Sequence, residues 1–279
     1  MVKPQIMSFM FNTIFSRRII TGFIPAVFAV LFCLSSCKKP ADDNAATATD
    51  SVAEPEFVSI FNGTSLEGWE GDTTYWHAEN GSLVGEVTPQ TLLKTNTFIV
   101  WKGGTPGDFE LKLEFRIAEA GNSGINYRSE ALTDVPHALR GYQADIDGKI
   151  NYTGQNYEER GRTTLAYRGE AATIYTQDNP SDPESLRANV KNNAWNKRTV
   201  TGTLGNADSL KAAIKSGDWN TCHIIAKGNR LEHYVNGILM SAVTDEDTVN
   251  RKMSGLLGVQ VHVGPPMTVE YRNILLKQL

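Results

Sequence analysis

Cysteine and histidine are scarce in this chain. Its 279 residues include three cysteines, at positions 33, 37 and 222, and five histidines, at positions 77, 137, 223, 233 and 262. So few cysteines exclude a disulfide framework and a cysteine-based metal site. The histidines show neither the His-x-x-x-His nor the His-Glu-x-x-His spacing of a zinc site.

Other catalytic signatures are missing as well. The glycine-rich stretch 103–107 lacks the lysine–hydroxyl pair and the strand–helix setting of a phosphate-binding loop. The chain contains no Gly-x-Ser-x-Gly motif, so nucleophilic serine catalysis has no support. Long apolar runs are also missing, apart from one near the start of the chain.

That one run, residues 19–34, predicts an export signal. Two arginines precede it, and Cys37 follows it after two serines. The run is shorter than the 18 or more residues expected of a membrane-spanning helix, and its flanks are those of a secretory signal. The pattern resembles a bacterial lipoprotein signal that is cut before Cys37, which then carries lipid. A retained signal anchor is the alternative.

We therefore expect three regions: a lipoprotein signal at 1–36, a lipidated Cys37 with a disordered tether at 37–56, and one domain at 57–279. The tether is rich in Ala, Asp, Thr and Ser, and it has too few large apolar residues to order itself. The protein is then exported and lipid-anchored, in the periplasm or at the outer-membrane cell surface. Its contact with the membrane is through the lipid only.

Charge argues against nucleic acid as a partner. Removing Lys3, Arg17 and Arg18 with the signal lowers the basic count from 27 to 24 against 31 acidic residues, so the exported part has a net charge of −7. A surface of this sign is a poor partner for nucleic acid and for anionic lipid. Cys222 is then the one cysteine of the domain, and its apolar neighbours predict a buried strand residue.

Turn residues recur between short apolar alternations throughout 57–279. Asn80-Gly81 and Asn236-Gly237 each separate two such runs, and Asn-Gly pairs in this setting are strong hairpin signals. Helix is predicted only at 208–215 and 183–190. The domain is therefore predicted to be all-β, a two-sheet antiparallel β-sandwich of the jelly-roll type with one or two short helices.

The central strand-like runs carry polar residues where a buried strand should be apolar. Successive strand side chains point to opposite faces, so alternating polar residues share one face. If the strands are neighbours, that face is the predicted site; the alternative is the ordinary wet face of a half-exposed sheet. The polar members are Asn126, Arg128, Gln143, Asp145 and Asp147 in the centre, Arg116 before them, and Gln260 and His262 near the C terminus.

A charged loop follows these runs, from Tyr152 to Arg162. Glu158 or Glu159, with Arg162, is expected to reach over the polar face and close a pocket; a solvated charged loop is the alternative. The five tryptophans, Trp101 among them, could stack on sugar rings or fill the core.

A divalent cation is a further alternative for the polar face. The oxygens of Gln143, Asp145 and Asp147 are of the type that Ca²⁺ binds, although no EF-hand-like loop accompanies them.

Several separate motifs, in the right order, resemble those of one family. They are Phe61-Asn62-Gly63-Thr64-Ser65-Leu66-Glu67-Gly68-Trp69, Asp108-Phe109-Glu110-Leu111, Asn122-Ser123-Gly124-Ile125, Gly141-Tyr142-Gln143-Ala144-Asp145, Asp218-Trp219-Asn220, Asn236-Gly237 and Arg272-Asn273-Ile274. Together they resemble the 3-keto-disaccharide hydrolase family, once catalogued as a domain of unknown function, over essentially all of 57–279. The resemblance implies a concanavalin A-like jelly roll that acts on 3-keto-glycosides.

The chain departs from that family at one place. Many relatives read Gly-Tyr-Glu-x-Gln-x-x-Asp where this chain has Gln143 and Asp145. Gln143 cannot be a nucleophile, which disfavours ordinary retaining hydrolysis with two carboxyl groups about 5–5.5 Å apart. A 3-keto sugar offers another route: the ketone acidifies the hydrogen on C2, so a base removes it, the aglycone leaves from C1 and water then adds.

For this route we expect His262 or Asp145 as the base, Arg128 or Arg162 at the enolate, and Glu158 as the acid for the leaving oxygen. The residues predicted to bind substrate are Gln143, Arg162, Gln260, Asn122, Trp101 and Tyr152. A glycoside 3-oxidoreductase would supply the 3-keto substrate.

Two other functions stay open. One is a non-catalytic carbohydrate-binding lipoprotein, since this type of fold serves lectins as well as enzymes. The titratable cluster of Asp145, Glu158 and His262 argues against it, because a lectin has less need of such groups. The other is a conventional jelly-roll glucanase, which Gln143 disfavours.

Overall fold

Strands are the main regular structure in residues 56–279, the part of the chain that the computed structural model describes. Seventeen strands and two short helices are present there. The strands are β1 (Val58–Ser59), β2 (Trp69–Glu70), β3 (Trp76–Glu79), β4 (Ser82–Val87), β5 (Thr97–Trp101), β6 (Phe109–Ile117), β7 (Asn122–Ala131), β8 (Leu139–Asp147), β9 (Asn156–Glu159), β10 (Thr163–Ala166), β11 (Glu170–Ile174), β12 (Arg198–Thr203), β13 (Asn220–Lys227), β14 (Arg230–Val235), β15 (Ile238–Asp245), β16 (Leu256–Val261) and β17 (Met267–Gln278). The helices are α1 (Pro183–Val190) and α2 (Ala207–Ala212).

The strands form two sheets. The seven-stranded sheet has the order β10-β9-β8-β7-β16-β5-β2. The ten-stranded sheet has the order β12-β11-β15-β14-β13-β6-β17-β4-β3, with β1 added beside β17. Neighbours are antiparallel except β11 and β15, which are parallel. The predicted all-β sandwich is confirmed.

The turn chemistry predicted from the sequence is present. Asn80-Gly81 joins β3 to β4 and Asn236-Gly237 joins β14 to β15. All four residues have positive φ, between 49° and 82°, as a two-residue hairpin turn requires. The helix predicted at 183–190 is α1, whereas the one predicted at 208–215 begins at Ala207, after an Asn206 cap, and ends at Ala212. Cys222 is a buried residue of β13, as predicted.

The contacts between the sheets show which face of each strand points inward. Tyr127 on β7 and Tyr142 on β8 stack with ring centroids 5.5 Å apart. The Tyr127 hydroxyl lies 2.8 Å from Nε2 of His233, on β14 of the other sheet. The Tyr142 hydroxyl donates to Asp245, on β15, at 2.5 Å. Residues of odd number up to Tyr127 on β7, and of even number on β8, therefore face the core.

A buried ionic cluster lies at the same interface. The Arg162 guanidinium donates to Glu158 Oε2 at 2.7 Å and to Asp245 Oδ2 at 2.8 Å, and its Nη1 lies 3.3 Å from Asp247. All four side chains are at least nine-tenths buried. Such groups persist inside a protein only when each charge is paired and hydrogen-bonded.

The residues before 56 lie outside the described part of the chain. The signal at 1–36, the lipidated Cys37 and the tether at 37–56 therefore stay predictions. No helix within residues 56–279 has the length and apolar character required to cross a membrane.

Replacing Arg162 by Ala should strongly destabilise the domain, because it leaves three buried carboxylates without their common cation. We expect a loss of about 3–5 kcal/mol in the free energy of unfolding, measured by urea denaturation. The matched control is Arg230→Ala: that residue is 46% exposed and pairs with Glu232, and its loss should cost at most about 1 kcal/mol. Equal effects of the two substitutions would contradict the importance of the cluster.

Candidate functional site

The outer face of the seven-stranded sheet carries the polar positions predicted from the sequence. Because Tyr127 and Tyr142 face the core, Asn126 and Gln143 must point the other way. Asn126 pairs directly with Gln143, and Gly124 with Asp145, across β7 and β8. Gln260, on β16, completes the row, and its Nε2 donates to Gln143 Oε1 at 3.3 Å.

This face is not an ordinary wet surface. Gln143 is 4% exposed, Asp145 9% and Gln260 0%. The alternative of a half-exposed polar sheet face is therefore wrong for these strands. A row of buried amides around one carboxyl is costly unless each group is hydrogen-bonded, and it forms the floor of a cavity.

The cavity has a volume of ≈ 450 Å³, within the range of small-ligand sites. Its walls combine residues from β7, β8 and β9 with loops that precede β5 and follow β8, α1 and β16. They are Asn96, Asn122, Gln143, Asp145, Tyr152, Gln155, Tyr157, Glu159, Arg160, Asn193 and His262. Four of the predicted site residues, Asn122, Gln143, Asp145 and Tyr152, thus meet His262 in one cavity.

Two glutamines hold the Asp145 carboxylate. Gln143 Nε2 donates to Oδ1 at 2.6 Å, and Gln155 Nε2 donates to Oδ2 at 2.5 Å. Gly124 makes the first contact possible, because a Cβ at that position would lie 2.4 Å from the Gln143 side chain. The carboxylate is therefore fixed in orientation, with one amide on each oxygen.

Burial raises the pKa of Asp145 to about 7, and the negative charge of Glu159 adds to the rise, while the two glutamine hydrogen bonds oppose it. Burial also raises the pKa of Glu159, against the opposing effects of a hydrogen bond from Asn96 and the charge of Arg160. Two carboxyl groups with raised pKa values in one cavity are suited to acid–base chemistry.

Glu159, rather than Glu158, is the acidic residue of β9 that lines the cavity. Glu158 pairs with Tyr142 across β8 and β9 and points into the core, where Arg162 binds it. The structure thus corrects the predicted placement of Glu158 and Arg162 over the polar face. The alternation of strand side chains could have separated the two glutamates, had the sequence indicated which face was inward.

Arg128 also lies away from the cavity. A register shift interrupts β7 between Tyr127 and Glu130, and Arg128 itself has φ of 46°. This bulge turns the side chain toward the other sheet, where it donates to the carbonyls of Gly107 and Gly228 and to Asp108. The prediction that Arg128 binds an enolate is therefore wrong, because its side chain does not reach the cavity.

Two other predicted residues lie elsewhere. Trp101 ends β5 and packs partly buried against the core, five residues and roughly 17 Å of strand from Asn96 at the cavity. The aromatic side chains that do line the cavity are Tyr152 and Tyr157. Arg116 belongs to β6 of the other sheet, where it pairs with Glu270.

Asp147 shapes the loop that carries Tyr152 and Gln155. Its carboxylate accepts hydrogen bonds from the backbone N–H groups of Asn151, Tyr152 and Thr153 at 2.8–2.9 Å. These bonds fold the chain back beside β8, so that Gln155 reaches Asp145. Asp147 is therefore structural, although it shares a face with Asp145.

His262 lies at the rim, directly after β16. Its Nδ1 is 2.6 Å from the carbonyl oxygen of Val263, which can only accept. Nδ1 therefore carries a proton, and in the neutral ring Nε2 is an acceptor.

A metal ion finds little support in these side chains. No group of three or more His, Cys, Asp or Glu within residues 56–279 is arranged to hold a metal ion. Both oxygens of Asp145 already accept from amides, and Asp147 binds backbone N–H groups. The donor set thus does not fit the predicted alternative of a Ca²⁺ site.

Comparison with known families identifies the chain. A family model described as a 3-keto-alpha-glucoside-1,2-lyase-like domain matches residues 56–277. The chain belongs to this family. It is therefore a carbohydrate-active, glycosyl hydrolase-like jelly-roll domain, and the predicted resemblance is confirmed. No curated protein matches the sequence significantly.

The chain is also similar to several solved structures. A provisionally named glycosyl hydrolase from Parabacteroides distasonis is similar at 16% identity with a TM-score of 0.50, over 80% of this chain and 100% of its own. The carbohydrate-binding module CBM66 of Bacillus subtilis is similar at 15% identity, with a TM-score of 0.46, over 78% of this chain and 98% of its own. A Bacillus licheniformis β-glucanase is similar at 10% identity, with a TM-score of 0.42, over 82% of this chain and 99% of its own.

The raised pKa of Asp145 predicts a pH-dependent cost to stability. In the unfolded chain the carboxyl has its ordinary pKa of 3.8, so between there and about 7 the folded state binds more protons. The contribution of Asp145 to the free energy of unfolding must then fall as pH rises through this window. The side chain at position 145 does not titrate in the Asp145→Asn variant. The free energy of unfolding of the wild type should therefore fall relative to that of the variant from about pH 4 to about pH 8.

Urea denaturation at several pH values measures this difference. Asp134→Asn, at an exposed position, is the matched control and should show a nearly constant difference from wild type. A constant difference for Asp145→Asn as well would mean that the carboxyl titrates normally.

Proposed function

We propose that this domain cleaves 3-keto-glycosides or 3-keto-disaccharides by base-catalysed 1,2-elimination of the aglycone, followed by hydration. The observation that carries the proposal is Asp145: a buried carboxylate with a pKa near 7, fixed by two amides at the floor of a cavity of ≈ 450 Å³. A general base works best when its pKa lies near the operating pH. Membership of the lyase-like family supports the proposed substrate class.

In the proposed reaction Asp145 removes the proton from C2 of the sugar. The electron pair of that C–H bond forms the C2–C3 enolate, with negative charge on the oxygen of the C3 ketone. Breaking the C1–O bond then gives the 1,2-unsaturated 3-keto sugar and the aglycone oxygen, which takes a proton. Water adds to C1, with a proton to C2, and yields the free 3-keto sugar.

Glu159 takes the role first assigned to Glu158. Its carboxyl lines the cavity, carries a raised pKa and is held by Asn96 at 3.1 Å. We assign to it the protonation of the leaving oxygen. The negative charge of Glu159 also contributes to the raised pKa of Asp145.

The remaining polar groups bind the sugar. Asn122 lies on β7, two residues before Gly124 and on the same face, and Gly124 is the cross-strand partner of Asp145. The Asn122 amide is therefore our candidate donor to the enolate oxygen. His262 and Asn193 offer further hydrogen bonds from the rim, and Tyr152 and Tyr157 offer ring faces. Gln143 and Gln260 act through Asp145, whose orientation they fix.

The setting of the enzyme is part of the proposal. The signal and Cys37 would place the domain outside the cytoplasm on a lipid anchor. A glycoside 3-oxidoreductase would make the ketone on which the elimination depends.

The direct test is release of nitrophenol from the α- and β-anomers of 4-nitrophenyl 3-keto-glucoside, each beside its unoxidised glucoside. We expect turnover of keto compounds only, because only their C2 hydrogen is acidic. A chelator should leave turnover intact, since no group of three or more His, Cys, Asp or Glu within residues 56–279 is arranged to hold a metal ion. If no nitrophenol is released from any of these glucosides and the domain binds intact glycans, it is a carbohydrate-binding module instead.

Two substitutions test the roles of the carboxyl groups. Asp145→Asn should lower kcat/KM for the keto substrate by at least about a hundredfold, whereas the exposed Asp134→Asn should not change it. In the wild type kcat/KM should rise with pH through about 7 as Asp145 ionises.

Glu159→Gln should cost more on an alkyl 3-keto-glucoside than on the nitrophenyl one, because a nitrophenolate leaves without a proton. Equal losses on the two substrates would remove Glu159 from the acid role. Unchanged turnover in Asp145→Asn would remove Asp145 from the base role.

A further inference from the structure

His233 is a fully buried histidine that the proposed reaction does not use. It lies on β14 of the ten-stranded sheet and is 1% exposed. Burial lowers its pKa to about 4, so the ring is neutral at physiological pH. A neutral imidazole has one N–H donor and one acceptor nitrogen, and its neighbours decide which is which.

The neighbours of His233 fix its tautomer. Nδ1 lies 3.3 Å from the carbonyl oxygen of Gln155, which can only accept, so Nδ1 carries the proton. Nε2 lies 2.8 Å from the Tyr127 hydroxyl and 3.4 Å from the amide of Asn156, both of which can donate. Tyr127 on β7 and Asn156 on β9 thus orient the ring at Nε2. Its single N–H, at Nδ1, points to the carbonyl of Gln155.

Gln155 connects this ring to the floor of the cavity. Its carbonyl oxygen also accepts from the Asp145 N–H at 3.3 Å, and its side-chain amide donates to Asp145 Oδ2 at 2.5 Å. The preceding Gly154 packs on β15, since a Cβ there would lie 2.8 Å from Met240. The end of the loop therefore packs on the ten-stranded sheet, although the side-chain amide of Gln155 binds Asp145 in the seven-stranded sheet.

We propose that His233 is a positioning residue for the site: through the Gln155 carbonyl it holds the Gln155 amide on the carboxylate of Asp145. The proposal rests on the proposed function only for its kinetic consequence. The geometry itself concerns one hydrogen bond to a carboxylate, and that bond favours the ionised form.

The sign of the effect follows from the chemistry. Without His233 the Gln155 carbonyl keeps its bond from the Asp145 N–H, at 3.3 Å, but loses the contact to the other sheet, and we expect the amide to be released from Asp145. The cavity is also lined by Arg160, which is directed to Glu159 and Thr95, and by His262 at the rim. Burial raises the pKa of Asp145, and the charges of Glu159 and Asp147 add to the rise, while the hydrogen bond from Gln143 still lowers it. The pKa of Asp145 should therefore rise further.

The experiment is a carboxyl titration by ¹³C NMR of the full chain labelled at aspartate Cγ, with Asp145→Asn identifying the signal. We expect His233→Phe to raise the midpoint by on the order of one pH unit. Gln155→Leu should reproduce the shift. His233→Gln, which keeps a donor and an acceptor, should partly restore the wild-type midpoint.

Tyr142→Phe separates positioning from general destabilisation. It removes another bond between the sheets, the one from Tyr142 to Asp245, from the strand that carries Asp145. It should lower stability and leave the Asp145 midpoint in place. An unchanged midpoint in His233→Phe, or an equal shift in Tyr142→Phe, would overturn the proposal.

Kinetics add a second measurement. In His233→Phe the acidic limb of kcat/KM on the nitrophenyl 3-keto-glucoside should move to higher pH by the same amount as the NMR midpoint. If the wild type turns over no keto-glucoside, the proposed function fails. The titration still decides the role of His233, because it needs no substrate.

Discussion

The alternation of side chains along β8 is the constraint on which the rest of this site depends. Tyr142 must enter the core to reach Asp245, so Gln143 and Asp145 must leave it. The strand is nevertheless buried on both faces. Its outer polar groups therefore need partners from elsewhere, and Gln155 and Gln260 provide them.

This requirement explains why the site carries so many amides. A buried carboxylate without hydrogen bonds would be too costly to retain, while one held by cationic side chains would have a low pKa and be a weak base. Neutral amides lie between these limits: they orient Asp145 and leave its pKa near 7. Among the residues that the structure describes, Arg160 is the arginine that lines the cavity, and its guanidinium is directed to Glu159 and Thr95.

The departure from the family pattern fits the same picture. The family resemblance implies Glu-x-Gln at the positions where this chain has Gln143-x-Asp145 on one face of β8. The two side chains are in direct contact here, at 2.6 Å. In this chain the pair places an amide and a carboxyl side by side at the floor of the cavity.

Much of this could be predicted from the sequence, for physical reasons. Gln143, Asp145 and Gln260 share a face because strand side chains alternate, and hairpin turns mark the strands, so their convergence was predictable. The choice between Glu158 and Glu159 depends on which face of β9 is inward, which only the pairing with Tyr142 settles. Arg128 leaves the face because of a bulge, and a one-residue irregularity has no period to detect.

Gln155 and Tyr157 were missed for a different reason. Their contributions depend on a loop folded by Asp147, whose carboxylate binds backbone N–H groups rather than substrate. In sequence, Asp147 has the same pattern as Asp145. The two differ only in the residues that follow: after Asp147 the backbone turns back and its N–H groups bind the Asp147 carboxylate.

The central claim is that Asp145 breaks the C2–H bond of a 3-keto sugar. The most direct test is to compare kcat/KM for an alkyl 3-keto-glucoside and for the same compound with deuterium at C2. The account predicts clearly slower turnover of the deuterated substrate. Equal kcat/KM values for the two compounds, together with a kcat/KM that changes on isotopic substitution at C1, would contradict elimination. They would indicate direct displacement at the anomeric carbon.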